Sequence, residues 1–438
     1  MSRKIAPLEI GLVIALFALT NLISAFRQKQ NTFDGGLAWE RPYYVMAGQF
    51  ARHEPIATTA PYVYRVGTPF MVALLSPGDL FRGFRIVNTT GSFIASLLLV
   101  FWLKGYVKDW RTRVLLVALF LIQWDAPPRY MYHSPVHVDA WYFVFALVGL
   151  LAIRRYQEHP SLPLLGGLIA LSFVGTLFRE IVMIVPITFL AVHQPFSLVG
   201  QPGDRDLKVR MPPLAHWLPF LSGAAAFAIV HRFVHQTDGY SFLSTILEFL
   251  YGKALIGYAQ GWLLAFGPVL FIILYDWRKA GAFLAEHQTF LFFLATGAWL
   301  GFFGGSDTER LLYWSMPGVY VLLGVAIERH RAVLSRWPVA LTFILGQMMT
   351  SRILWTTPDY PTSYPHTFPV LQEFGSHVQF LDLFSYHGFR QKELLSIVEF
   401  TIYGVAILWT MRRLERRQRA SASAMATTPL PDPSPTFR

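Results

Sequence analysis

The sequence predicts an all-α fold: a polytopic transmembrane helical bundle of about twelve spans, with amphipathic interfacial helices in its first external loop. Three observations predict it. Hydrophobic residues make up 54% of the 438 residues and charged residues only 14%, whereas a soluble domain carries roughly a quarter charged. Aromatic residues reach 16%, as expected where Trp and Tyr anchor both membrane interfaces. Apolar stretches of spanning length recur along the chain. The sequence contains no cysteine, which excludes disulfides and thiolate metal sites.

The first apolar run, Pro7 to Phe26, follows Met1-Ser-Arg-Lys and is long enough to cross a hydrocarbon core of about 30 Å. It reads as an uncleaved first span rather than a signal peptide. Further spans are expected near 84–103, 112–124, 136–153, 162–178, 181–195, 214–234, 257–275, 288–303, 310–327, 337–355 and 393–411. If they alternate from a cytoplasmic N-terminus, the inner side collects most of the 37 Lys and Arg residues. Examples are Lys104, Lys108, Arg111 and Arg113 in one short loop, and Arg412, Arg413, Arg416, Arg417 and Arg419 after the last span. This is the positive-inside distribution. The net charge of +11 is therefore topological, and no nucleic-acid partner is needed to explain it.

Residues 27–83 then remain outside. Within them Glu40 to His53 has helical spacing, and Gly67 to Leu75 is apolar but too short to span. Both read as helices lying along the outer interface. Taking 67–77 as a span instead would invert every later loop and turn the basic stretch Lys104 to Arg113 outward. Residues 356–392, with Pro358, Pro361, Pro365 and Pro369, form a second large external loop. Residues 420–438, rich in Ala, Ser, Thr and Pro, read as a disordered cytoplasmic tail beyond a transmembrane domain of residues 1–419.

A charge at the bilayer centre costs on the order of 2.5–3.5 kcal/mol, so charges near membrane depth need partners or a wet cavity. On this topology Asp34, Glu40, Arg41, Arg65, His133, His137, Asp139, Arg179, Glu180, Asp307, Glu309 and Arg310 all lie at or near the outer face. They suggest one outward-opening polar chamber lined by carboxylates and guanidinium groups. The stretch His133-Ser-Pro-Val-His137-Val-Asp139 contains possible ligands, but three in a loop without i,i+4 register do not make a metal site. No metal and no cofactor are expected.

Group transfer from a lipid-linked phosphate would use this set. Planar guanidinium groups bind phosphate oxygens bidentately, a role for Arg65, Arg179 and Arg310. A carboxylate would deprotonate the incoming hydroxyl; Asp34, in the first outer loop, is the candidate base. Glu40, Tyr64, His133, Asp139, Glu180, Asp307 and Glu309 would hydrogen-bond the sugar or the acceptor.

The run Phe33-Asp34-Gly-Gly-Leu-Ala-Trp-Glu-Arg-Pro-Tyr-Tyr-Val-Met-Ala resembles the first external loop of the type C glycosyltransferase superfamily. There an Asp soon after the first transmembrane helix precedes an amphipathic interfacial helix. Pro61-Tyr-Val-Tyr-Arg65-Val-Gly-Thr-Pro69 is similar to the Tyr-Arg-x-x-x-Pro element of many bacterial members, and Arg179-Glu180 and Asp307–Arg310 resemble helix-end positions. The resemblance implies a polyprenyl-phosphate-linked sugar donor, transfer on the periplasmic or lumenal side, and Asp34 as base. It also implies a multi-pass protein of a bacterial cytoplasmic membrane, acting on an envelope glycan, lipid or protein. In this chain the nearest acidic neighbour of Asp34 is Glu40, where the family often pairs two acids. The competing readings are a lipid-linked glycan polymerase or ligase, and a transporter or flippase of lipid-linked sugars.

Overall fold

The computed structural model describes residues 5–28, 30, 32–37, 40–123, 126–193, 213–253, 255–305, 307–351 and 390–427. Over these residues the chain is an all-α membrane protein whose only sheet is a pair of two-residue strands. Each predicted span is helical. In order they are α1 Pro7–Arg27, α4 Leu80–Lys104, α5 Trp110–Ile122, α7 Ala140–Glu158, α8 Leu162–Phe178, α9 Ile184–His193 and α10 Leu214–Phe233. Then follow α12 Leu255–Phe266 with α13 Leu270–Tyr275, α15 Gln288–Phe303, α16 Thr308–Tyr313 with α17 Met316–Arg329, α19 Trp337–Ser351 and α20 Arg390–Thr427. Among the described residues four segments are long and apolar enough to cross a membrane by length and composition alone: Pro7–Phe26, Leu80–Lys104, Leu214–Phe233 and Leu255–Tyr275.

The segment between α1 and α4 contains the two short helices expected of it, α2 Arg41–Ala51 and α3 Gly67–Leu75. The nine residues of α3 rise only about 13 Å, under half a hydrocarbon core. Another short helix, α6 Pro127–His133, precedes α7, and α11 Phe242–Gly252 precedes α12. Strand β1, Ala57–Thr58, pairs in parallel with β2, His235–Gln236, so the segment between α1 and α4 is tied to the one before α11. Two parts of the predicted plan fall elsewhere. The external loop 356–392 lies outside the described residues apart from 390–392, which open α20. Helix α20 continues to Thr427, into the segment expected to be disordered; Ala420, Ala422, Ala424, Met425 and Ala426 are strong helix formers that sustain it.

Close packing positions the helices that carry the charged residues. A Cβ on Gly297 of α15 would fall 2.1 Å from Ser315 Oγ, and one on Gly261 of α12 would fall 2.7 Å from Thr308 Cγ2. Small residues at these contacts let helices approach closely, the usual basis of association in lipid. Between α12 and α13 the chain breaks at Gly267, whose φ of 72° needs a residue without Cβ. The freed carbonyls are satisfied internally: Gln123 donates to Ala265 O at 2.6 Å and Gln347 to Phe266 O at 3.2 Å, as a non-aqueous surrounding requires.

Ion pairs between elements gather at the two ends of the bundle. At one end Glu40 meets His137, Asp139 meets Arg179, Arg65 meets Glu180 and Arg310 meets Glu40. At the other Glu9 meets Arg113, Asp109 meets Arg331, Asp276 meets Arg329 and Glu415 meets His330. Every pair joins segments that the alternating topology assigns to the same side. Arg113, counted above as a loop cation, is buried: its Nε and Nη2 each donate to Glu9 at 2.7 Å, and Nη1 donates to Val107 O and Lys108 O.

Candidate functional site

The site is assembled from helix ends. Glu40 caps the start of α2, where Pro42 supplies a fixed φ in the first turn. Its carboxylate accepts from Ser134 Oγ at 2.7 Å and lies 2.5 Å from His137 Nδ1. The other ring nitrogen, Nε2, is 2.9 Å from Asp139 Oδ2. Asp139, just before α7, is paired through its second oxygen with Arg179, at the C-terminal end of α8. The Arg179 guanidinium carbon lies 4.6 Å from the centre of the Trp314 ring, a cation–π contact. The loop holding Ser134, His137 and Asp139 is fixed from α4 by Asn88, which donates to the carbonyls of Pro135 and His137 at 2.8 and 2.5 Å.

Two further pairs flank this chain. Arg65 Nε donates to Glu180 Oε2 at 2.8 Å, Arg65 Nη2 donates to Glu180 Oε1, and Arg65 Nη1 donates to the Tyr43 hydroxyl at 2.6 Å. Arg310 lies 2.6 Å from Asp307 and 3.8 Å from Glu40. The adjacent residues Arg179 and Glu180 thus engage different partners, because the extended backbone at Arg179 (φ −160°) directs their side chains apart.

Burial disfavours charge at every one of these groups, so the pairing must overcome it. At Glu40 burial is the largest influence, yet His137, Arg310 and Ser134 bring the carboxyl down to about 2. Burial likewise opposes the charge on His137, but Glu40 and Asp139 raise it to about 9. Asp139 is held well below the usual carboxylate range, with Arg179 and His137 outweighing its desolvation. At neutral pH the chain Glu40–His137–Asp139–Arg179 is therefore carboxylate, imidazolium, carboxylate and guanidinium, with the imidazolium donating to both acids.

The predicted residues separate into groups. Glu40, Arg65, Asp139, Arg179, Glu180, Asp307 and Arg310 come together as described, and Glu309 is buried one residue before Arg310. Tyr64 sits elsewhere: its hydroxyl donates to Gln236 at 2.7 Å and its ring stacks on His231 of α10. His133 is buried at the end of α6, next to Ser134. Asp34 stands at the margin, 2.9 Å from Arg41, with 30% of its side chain exposed. Its backbone is left-handed (φ 51°, ψ 44°) and leads into Gly35 and Gly36, both also at positive φ. Asp tolerates that region better than most residues.

Sequence reasoning missed Tyr43, Asn88, Ser134, Trp314 and Lys253, and set His137 in the polar chamber with no role beyond possible metal ligation. The signal for His137 was present in its spacing of two from Asp139 at the start of a span. Tyr43 and Trp314 gave none, since aromatic residues are common throughout this chain. Among the described residues no group of three or more His, Asp or Glu side chains is placed to hold a metal ion.

No family model matches this sequence, and no curated protein matches it. Among the solved structures it is similar to are two oligosaccharyltransferases. One is the archaeal oligosaccharyltransferase AglB from Archaeoglobus fulgidus in complex with an inhibitory peptide and a dolichol-phosphate, 13% identical over 78% of this chain and 55% of that one, with a TM-score of 0.46. The other is the Archaeoglobus fulgidus oligosaccharyltransferase tethered through a disulfide to an acceptor peptide containing the NVT sequon, 14% identical over 80% and 56%, with a TM-score of 0.44. The chain spans just over half the length of these proteins.

Proposed function

We propose that this protein is an integral-membrane glycosyltransferase that moves a sugar from a polyprenyl-phosphate donor to an acceptor hydroxyl on the periplasmic or lumenal side. The observation that carries this reading is convergence. Four segments far apart in sequence, around residues 40–65, 134–139, 179–180 and 307–310, bring three guanidinium groups and their carboxylates to one end of an apolar bundle. Short helices of interfacial length lie beside them. A structural cap for helix ends would not require so many ions in so apolar a chain. In this reading residues 1–419 form the catalytic domain, the site faces outward, and both termini are cytoplasmic.

The chemistry divides by exposure. Arg65 and Arg179 are almost wholly buried and spent on Glu180, Tyr43 and Asp139; they position the walls. Arg310 keeps 24% of its side chain exposed and is the arginine that meets the donor phosphate, with Asp307 as the partner the phosphate displaces. Glu40 and Asp139 are poor bases, because their ion pairs favour the unprotonated form so strongly. Asp34 is partly exposed and bound by one exposed arginine, so it acts as the base. As the acceptor oxygen attacks the anomeric carbon, Asp34 takes its proton and the phosphate leaves with the bonding pair, its charge met by Arg310.

The test is transfer from a polyprenyl-phosphate sugar to an envelope acceptor fraction by wild type and Asp34→Asn. The variant is expected to lose ~100-fold or more in kcat at equal folding. Undiminished transfer by a folded Asp34→Asn protein would exclude Asp34 as the base.

A further inference from the structure

One cation near this site has no task in the reaction just described. Lys253 lies in the short link between α11 and α12, and its ammonium donates to Gly301 O at 3.0 Å and Gly305 O at 2.7 Å. These carbonyls sit at the C-terminal end of α15, where a helix leaves acceptors without intrahelical donors and favours positive charge. They bracket Gly304, the residue that ends α15, and the chain then runs directly to Asp307, Glu309 and Arg310. The ammonium is partly buried. Burial draws it down to about 8, against the attraction of Glu309 and Asp307. A lysine held this way loses side-chain freedom and solvation, which suits a clamp better than a surface charge.

The neighbouring contacts show what the clamp adds. Helix α16 is seated against α12 through Gly261 and Thr308, and α15 meets the turn between α16 and α17 through Gly297 and Ser315. Those contacts fix the body of α16 and its exit into α17. The turn that precedes α16 has its own tie in Lys253, which reaches it from the link before α12.

We propose that Lys253 is a positioning residue of the donor site, clamping the turn between α15 and α16 so that Arg310 stands beside Glu40. The assignment of Arg310 to the phosphate rests on the function proposed above; the clamp itself does not. The sugar-phosphate never needs to touch Lys253. Loss of the clamp loosens Arg310 and weakens donor binding, leaving the Asp34 chemistry intact.

The experiment compares full-length wild type, Lys253→Met and Lys253→Arg in lipid nanodiscs. Hydrogen exchange of peptides covering 301–313 is read first, then donor saturation with a polyprenyl-phosphate sugar. The Met variant is expected to exchange about tenfold faster across this turn. Its donor KM should rise about tenfold, with kcat per folded enzyme within about twofold of wild type. The Arg variant, which keeps the charge and the donors, should recover most of both. Unchanged exchange in the Met variant overturns the clamp. Faster exchange with an unchanged donor KM overturns the positioning of Arg310, as does a fall in kcat alone. A wild type that neither binds nor transfers the donor sinks the glycosyltransferase reading, and the exchange comparison still decides the clamp.

Discussion

Replacing Asp139 by Asn keeps the shape of the side chain and removes its charge. Arg179 would then be a cation with 3% of its side chain exposed, keeping the Trp314 face and the attraction of Tyr43 and Glu180 but no direct ion pair. Removing one member of a buried pair costs about 3–5 kcal/mol, because the other charge stays desolvated; the cation–π contact is present in both proteins and does not change that difference. The expected loss is about 3 kcal/mol, the lower end of that range. Extrapolating the size dependence of thermal unfolding, this lowers Tm by roughly 3–6 °C in a chain this long. Intrinsic fluorescence in detergent micelles, with 13 tryptophans as reporters, measures it. The double variant Asp139→Asn/Arg179→Met removes both charges and should recover at least half of the loss, since a neutral pair of similar volume carries no stranded ion. Single-variant losses that simply add in the double variant would refute the pairing. So would an Asp139→Asn protein as stable as wild type.

Two other perturbations probe the same site. His137 has a folded-state value of about 9, raised above its unfolded value; its stabilising effect is fully present below about pH 6.5 and is lost as pH rises through 9. Wild type should therefore lose on the order of 3 kcal/mol relative to His137→Gln between pH 6.5 and 10, and parallel stability curves for the two proteins would exclude an imidazolium between Glu40 and Asp139. Arg310→Met should raise the donor KM by ~10–100-fold, the loss of one charge-assisted contact to phosphate, while leaving the acceptor KM alone; an equal rise in both would move Arg310 out of the phosphate site.

The helical architecture was legible because hydropathy reports each span locally. Charged residues were also legible as a set: a chain this apolar keeps few ions near membrane depth without use for them. The pairings were not. Arg179 and Glu180 read as site residues at a helix-to-helix turn, and nothing in their neighbourhood foretells that one reaches Asp139 and the other Arg65. That depends on which helices lie side by side. Tyr64 and Arg65, adjacent in the Tyr-Arg element, also part: the 3-10 turn over Tyr62–Tyr64 sends Tyr64 toward α10, while Arg65 meets Tyr43. Lys253 went unnoticed because its role is to bind backbone carbonyls, which every sequence supplies.

The pair of Glu9 and Arg113 has a consequence for how the protein is made. The two residues are 104 positions apart, so at ~5–20 residues per second Arg113 follows Glu9 from the ribosome after roughly 5–20 s. Throughout that interval the first helix carries a carboxylate that the finished fold seals from solvent completely. Its burial must wait for α5, which runs parallel to α1 and brings the arginine to the same end. A nascent chain halted between these helices displays an uncompensated acid, whereas one that has docked them does not. The bidentate contact thus joins the N-terminal helix to the bundle only after α5 has been made.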